Sequence, residues 1–117
     1  MKNRLLLLLH NGNAKTAALA ETIFRDILEK RSVRYITVVS AGIIHDKFHE
    51  TPLTPYLLES AGVIVCMDED SRKDIRIKGV EGEKTVIRFP EDSINSDETF
   101  IRSCETILDS LLFATEN

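Results

Sequence analysis

Five consecutive leucines, residues 5–9, constrain this chain more than any other feature. They follow the polar start Lys2-Asn3-Arg4 and stop abruptly at His10-Asn11-Gly12-Asn13. Charged residues before an apolar run imitate a signal peptide, but five apolar residues are too few for one and far too few to span a bilayer. A short continuous apolar run bounded by turn residues instead reads as a central parallel strand covered on both faces. That reading implies helices above and below it. It also implies a soluble, cytoplasmic protein that does not enter a membrane.

The rest of the chain supplies the expected alternation. Residues 17–31 are helical by pattern: Leu19, Ile23 and Ile27 recur every four residues beside Ala20, Phe24 and Leu28. Glu21, Arg25, Asp26, Glu29 and Lys30 face away. Residues 35–39 are β-branched and aromatic and lead into Ser40-Ala41-Gly42. Strand, helix and strand make a βαβ unit, whose crossover is right-handed in about 98% of cases. Residues 43–51 read as a polar loop. Thr54 and Pro55 then open a short helix as N-cap and first helical residue, with Tyr56, Leu57, Leu58 and Ala61 on its apolar side. In that reading Tyr56 packs against the sheet.

Residues 63–67 form a third strand, after which Asp68 caps a helix expected to run to about Lys78. A turn at 79–83 leads to a fourth strand at 85–89, ended by Pro90. The last helix starts near Asn95 or Ser96, with Glu98 placed for a capping box. Its stripe is Phe100, Ile101, Cys104, Ile107, Leu108 and Leu111. The expectation is a single α/β domain over all 117 residues, a three-layer α/β/α sandwich around a four-stranded parallel sheet.

Composition narrows the function. The net charge is −4, which does not predict a broad basic footprint for nucleic acid or anionic lipid. Two cysteines, Cys66 and Cys104, both inside apolar segments, make neither a disulfide framework nor a metal-ligand spacing. His45 and His49, with Asp46 and Glu50 between and beside them, lack a third soft ligand, so no metal site is expected. Asp68-Glu69-Asp70 followed by Arg72 and Lys73 fits helix-dipole and i,i+4 pairing. No cofactor motif is present.

In an open parallel sheet the ligand site lies beyond the carboxyl ends of the strands. Here that place is the turn Asn11-Gly12-Asn13-Ala14-Lys15-Thr16-Ala17 after His10. Unpaired amides at a helix N-terminus favour an anion, and Lys15 adds a formal charge. The plainer reading is a tight strand-to-helix turn, with Gly12 or Asn13 at positive φ and Thr16 as N-cap. Lys15-Thr16 matches the end of a Walker A loop, but the upstream glycine of that motif is missing.

The stretch from Leu9 to Glu21 resembles the phosphate loop of the low-molecular-weight protein tyrosine phosphatases, roughly V-C-x-G-N-x-C-R-S-P-x-A-E. The likeness continues through Phe24-Arg25-Asp26, Ser40-Ala41-Gly42-Ile43 and Thr51-Pro52-Leu53-Thr54-Pro55. It extends to Val65-Cys66-Met67-Asp68-Glu69 and Phe89-Pro90-Glu91-Asp92, and so spans nearly the whole chain. The departures fall on the chemistry. By this resemblance the nucleophilic cysteine becomes His10, the second loop cysteine Lys15, the phosphate-clamping arginine Thr16 and the assisting serine Ala17. The general acid falls on Glu91, beside Asp92. Losing one transition-state contact costs roughly 10²–10³-fold, and losing the nucleophile ends the covalent route.

Three readings follow. The leading one is a catalytically inactive relative, a pseudophosphatase whose loop at 10–17 can still hold phosphate or a phosphorylated ligand. Lys15 would then act as a point charge where the family has a fork. A second keeps an enzyme, with His10 as phosphoryl acceptor and Glu91 or Asp92 as acid. Its plainer counterpart makes His10 a hydrogen-bonded strand-end residue. A third is a module for a protein partner, with the helix at 54–61 and the polar loop before it bordering the cleft and Tyr56 exposed there.

Overall fold

The structure is a computed structural model that describes residues 4–12, 14–43, 52–90 and 96–115. Four strands, β1 (Arg4–His10), β2 (Ile36–Gly42), β3 (Ala61–Cys66) and β4 (Thr85–Arg88), form one sheet in the order β2-β1-β3-β4. Every pairing is parallel. Five helices connect and cover them: α1 (Ala14–Lys30), α2 (Pro55–Ser60), α3 (Glu69–Lys73), α4 (Ile75–Val80) and α5 (Asp97–Thr115). The leucine run is the central strand β1, buried between neighbours on both sides.

Alternation along β1 divides the core in two. Leu6 and Leu8 meet the stripe Ala17, Ala20, Phe24, Ile27 and Leu28 of α1 and the stripe Phe100, Cys104, Ile107, Leu108 and Leu111 of α5. Leu7 and Leu9 face the other way, onto Leu53, Ile77 and the partly buried Leu57, Leu58 and Val80 of α2 and α4. The result is the expected three-layer α/β/α sandwich. An ion pair between Arg31, just after α1, and Asp109 ties that end to α5, and the Phe100 ring packs tilted by 42° against Phe89, centroids 4.9 Å apart, just past the end of β4.

Several boundaries differ from the sequence expectation. α1 begins at Ala14, so Thr16 lies inside its first turn and is not the N-cap. The single helix expected from Asp68 to Lys78 is two, because Asp74 has extended ψ (138°) and serves as C-cap of α3 and N-cap of α4. Its carboxylate accepts the Arg76 amide at 2.8 Å, so a second cap replaces a continuous helix. Gly79 consequently lies in α4 and not in a turn. Arg72 pairs with Glu81 and Arg88 with Glu69, in place of local i,i+4 pairs. Leu19 and Ile101 lie at the margins of their stripes and are exposed.

Tyr56 is the largest correction. It is 76% exposed and does not pack on the sheet. α2 has only six residues, and its inward side is taken by Leu57 and Leu58. The expected caps at Thr54 and Asp68 are both present: Thr54 Oγ1 accepts the Leu57 amide at 3.1 Å and Asp68 Oδ1 the Ser71 amide at 2.8 Å. α5 begins at Asp97 behind Ser96, whose hydroxyl accepts from the Thr99 amide at 3.4 Å. The proposed capping residue Asn95 lies outside the described residues, as do His45 and His49. Among the described residues no helix is long and apolar enough to cross a membrane.

Candidate functional site

The β1–α1 turn emerges between the carboxyl ends of β2 and β3. The carbonyl of His10 accepts the Ile43 amide at 2.9 Å, which ties the end of β1 to the residue after β2. On the other side the Leu9 carbonyl accepts both the Met67 amide at 2.8 Å and the Ser71 hydroxyl at 3.3 Å. His10 is only 3% exposed. By alternation it shares the face of Leu6 and Leu8, the side covered by α1 and α5.

Gly12 has φ +93°, the left-handed region that side chains rarely adopt. Nothing lies within 4 Å of where its Cβ would be, so conformation and not space calls for glycine there. The chain then enters α1 directly. The first amides of a helix have no intrahelical acceptor. Those of Ala14, Lys15 and Thr16 therefore face the end of the turn, with the positive end of the α1 dipole behind them. Lys15 is exposed and Ala17 fully buried. Asn13, Glu91 and Asp92 lie outside the described residues.

One contact was not foreseen from sequence. Asp68 caps α3 with one carboxylate oxygen, and its other oxygen accepts the Asn11 amide at 2.7 Å. The first amide of the turn is thus already bonded to a carboxylate from the β3–α3 junction. The cap was visible in local spacing. The second bond was not, because it spans 57 residues and depends on β1 and β3 being neighbours.

Neither thiol belongs to this turn, although Cys66 pairs in register with Leu9 next to it. Cys66 ends β3 on the α2/α4 face, and Cys104 sits in α5 on the opposite side. Burial pushes Cys66 up to about 11, opposed only in part by the Ser71 hydrogen bond and the Arg72 charge. Burial, helped by Glu105, pushes Cys104 up to about 12. Neither is a thiolate nucleophile at neutral pH. Among the described residues no cluster of metal ligands occurs. Two open hollows, of about 260 Å³ beside Arg25, Ser32 and Arg34 and about 320 Å³ beside Ile23, Lys30 and Ile101, are lined by none of the turn's residues.

No family model and no curated protein matches the chain. Solved structures do. YfkJ from Bacillus subtilis superposes with a TM-score of 0.74 at 20% identity, covering 97% of this chain and 98% of that one. A low-molecular-weight protein tyrosine phosphatase from Streptococcus pyogenes gives 0.65 at 14% identity, covering 92% and 93%. One from Bacillus subtilis gives 0.58 at 18%, covering 87% and 88%. Such identities speak for architecture and leave the chemistry to the residues themselves. The chain has the fold of the low-molecular-weight protein tyrosine phosphatases.

Proposed function

We propose that the chain is a pseudophosphatase: a phosphatase-fold protein that binds phosphate or a phosphorylated side chain at residues 10–17 without hydrolysing it. The observation that carries this reading is that residues 10–17 contain no sulfur. Position 10 is a buried histidine, and the only two thiols are buried elsewhere and held protonated. Position 16, where the resemblance puts the clamping arginine, is a threonine in the first turn of α1. Amides 14–16, the α1 dipole and Lys15 supply an anion with donors and charge. With the Asn11 amide committed to Asp68, the grip is weaker than a full ring of amides with an arginine fork. Two free, buried thiols fit a reducing, cytoplasmic setting.

The test is an amide-shift titration with inorganic phosphate and phenyl phosphate. Shifts confined to residues 12–17, weakened by Lys15→Ala, support the reading; no shifts at millimolar phosphate overturn it. Aryl phosphate hydrolysis should stay at blank level in wild type and His10→Ala alike. An active enzyme using His10 with Glu91 or Asp92 requires instead a wild-type rate that His10→Ala abolishes. The 3% exposure of His10 disfavours that alternative, since a phosphoryl acceptor must meet its substrate. Converting His10→Cys together with Thr16→Arg should introduce measurable turnover if the turn keeps the family's geometry.

A second reading draws on Tyr56. A tyrosine 76% exposed on a short helix suits a protein partner, since aromatic side chains anchor interfaces. On that reading a purified partner loses affinity with Tyr56→Ala and keeps it with Lys15→Ala.

A further inference from the structure

Among the described residues β2 is an edge strand, and its composition makes that edge hazardous. Residues 35–43, Tyr-Ile-Thr-Val-Val-Ser-Ala-Gly-Ile, contain no charge and no proline. A flat, uncharged, β-branched edge invites pairing with another chain. The opposite edge, β4, is protected by shortness: four residues, preceded by Lys84, ending in Arg88 and followed by Pro90.

The Tyr35 carbonyl and the Ile43 amide both bond to β1, so along β2 the odd-numbered residues, Val39 among them, turn their backbone groups inward. The Val38 carbonyl and the Ser40 amide therefore point outward. They are the acceptor and donor that one residue of an incoming parallel strand would bond together. Both are already taken. Arg25 Nη2 donates to the Val38 carbonyl at 2.8 Å, and Glu21 Oε1 accepts the Ser40 amide at 3.2 Å. The two side chains are joined to each other at 3.1 Å, one turn apart on α1. Further along, the Gly42 carbonyl accepts the Leu53 amide at 2.9 Å.

We propose that the Glu21–Arg25 pair stands in for one residue of an absent fifth strand and thereby prevents the β2 edge from pairing with β2 of a second copy. An ion pair suits the task, because it presents one donor and one acceptor at the spacing of a peptide unit. Arg25 is exposed and Glu21 half-buried, and neither belongs to the buried stripe of α1. The guard is independent of any ligand at the β1–α1 turn.

The test uses Glu21→Ala/Arg25→Ala in the full chain, with light scattering across a concentration series and amide exchange at Ser40. The double variant should rise in mass toward a dimer or larger species. At low concentration, where it is monomeric, Ser40 exchange should accelerate by about tenfold, as expected for loss of a charge-assisted hydrogen bond. Adding Thr37→Lys, a charge at an exposed position of the same strand, should return the mass to the wild-type value. A double variant with wild-type mass and wild-type Ser40 exchange overturns the proposal, as does association that persists with Thr37→Lys. If the double variant fails to fold, Arg25→Met keeps the aliphatic stem and is judged by the same two measurements.

Discussion

The carboxylate of Asp68 joins two backbone amides that are remote in sequence, Asn11 at 2.7 Å and Ser71 at 2.8 Å. One side chain thus caps α3 and fixes the start of the β1–α1 turn. Asp68→Ala should cost about 2–3 kcal/mol, combining a lost cap with an amide left part-buried and unbonded. Asp68→Asn keeps one acceptor oxygen and should lose roughly half as much. Urea unfolding checks this; equal losses for the two variants would refute a two-oxygen role.

α1 ends with a residue in an unfavourable conformation. Ser32 has φ 56°. The Ser32 amide bonds the Glu29 carbonyl at 3.0 Å and the Val33 amide the Leu28 carbonyl at 2.9 Å, the paired bonds of a Schellman stop. Glycine is the residue this position favours. Ser32→Gly should therefore stabilise the fold by about 0.5–1 kcal/mol, read as a higher urea midpoint with an unchanged slope.

Asp74 links stability to acid. Burial pushes its carboxyl up, but hydrogen bonds from the Arg76 side chain and backbone, with the guanidinium charge and the Ile77 amide, outweigh it and hold it below the usual 3.8. Its contribution is present above the unfolded value and disappears as pH falls through the lowered folded one. Asp74→Ala should cost about 1 kcal/mol near neutrality. The gap from wild type should close as pH drops below 3.8. Thermal melts of the two proteins across an acid series measure this.

Both thiols should resist alkylation while the chain is folded. With Cys66 raised to about 11 from 9.0, its thiolate fraction at pH 8 falls about a hundredfold, and that of Cys104 falls further. Iodoacetamide labelling followed by mass should be slow in buffer and fast in denaturant. The same shifts erode stability as pH climbs from 9, where unfolded thiols ionise, toward 11. Fast native labelling at Cys66 would show an open site where the structure has a closed one.

What was legible in the sequence followed local rules. The four strands, the caps at Thr54 and Asp68, and the buried stripes at Phe24 and Phe100 declare themselves through period, turn residues and spacing. What was hidden depended on competition or distance. The break at Asp74 lies in a segment with neither glycine nor proline to mark it, and only that residue's choice to cap α4 ends α3. Tyr56 reads as core because tyrosine is large, yet a six-residue helix has room inward only for Leu57 and Leu58. At the turn, the positive φ expected of Gly12 or Asn13 is present at Gly12. Thr16 was misplaced because the first turn of α1 looks like loop in sequence. The Asp68–Asn11 bond required knowledge of strand order.

The leucine strand has one more implication. Identical side chains at 5 to 9 carry no signal about which way round, or how far along, β1 should slide: displaced by one step, it would still offer leucine to both layers. Its phase must be imposed from outside the run, by the hydrophilic ends Arg4 and His10 and by the tethers Arg4 to Tyr35 and Asn11 to Asp68. The most oily element of the molecule is thus positioned by the polar groups at its two ends, and damage to those anchors would shift the centre of the sheet without removing one carbon from it.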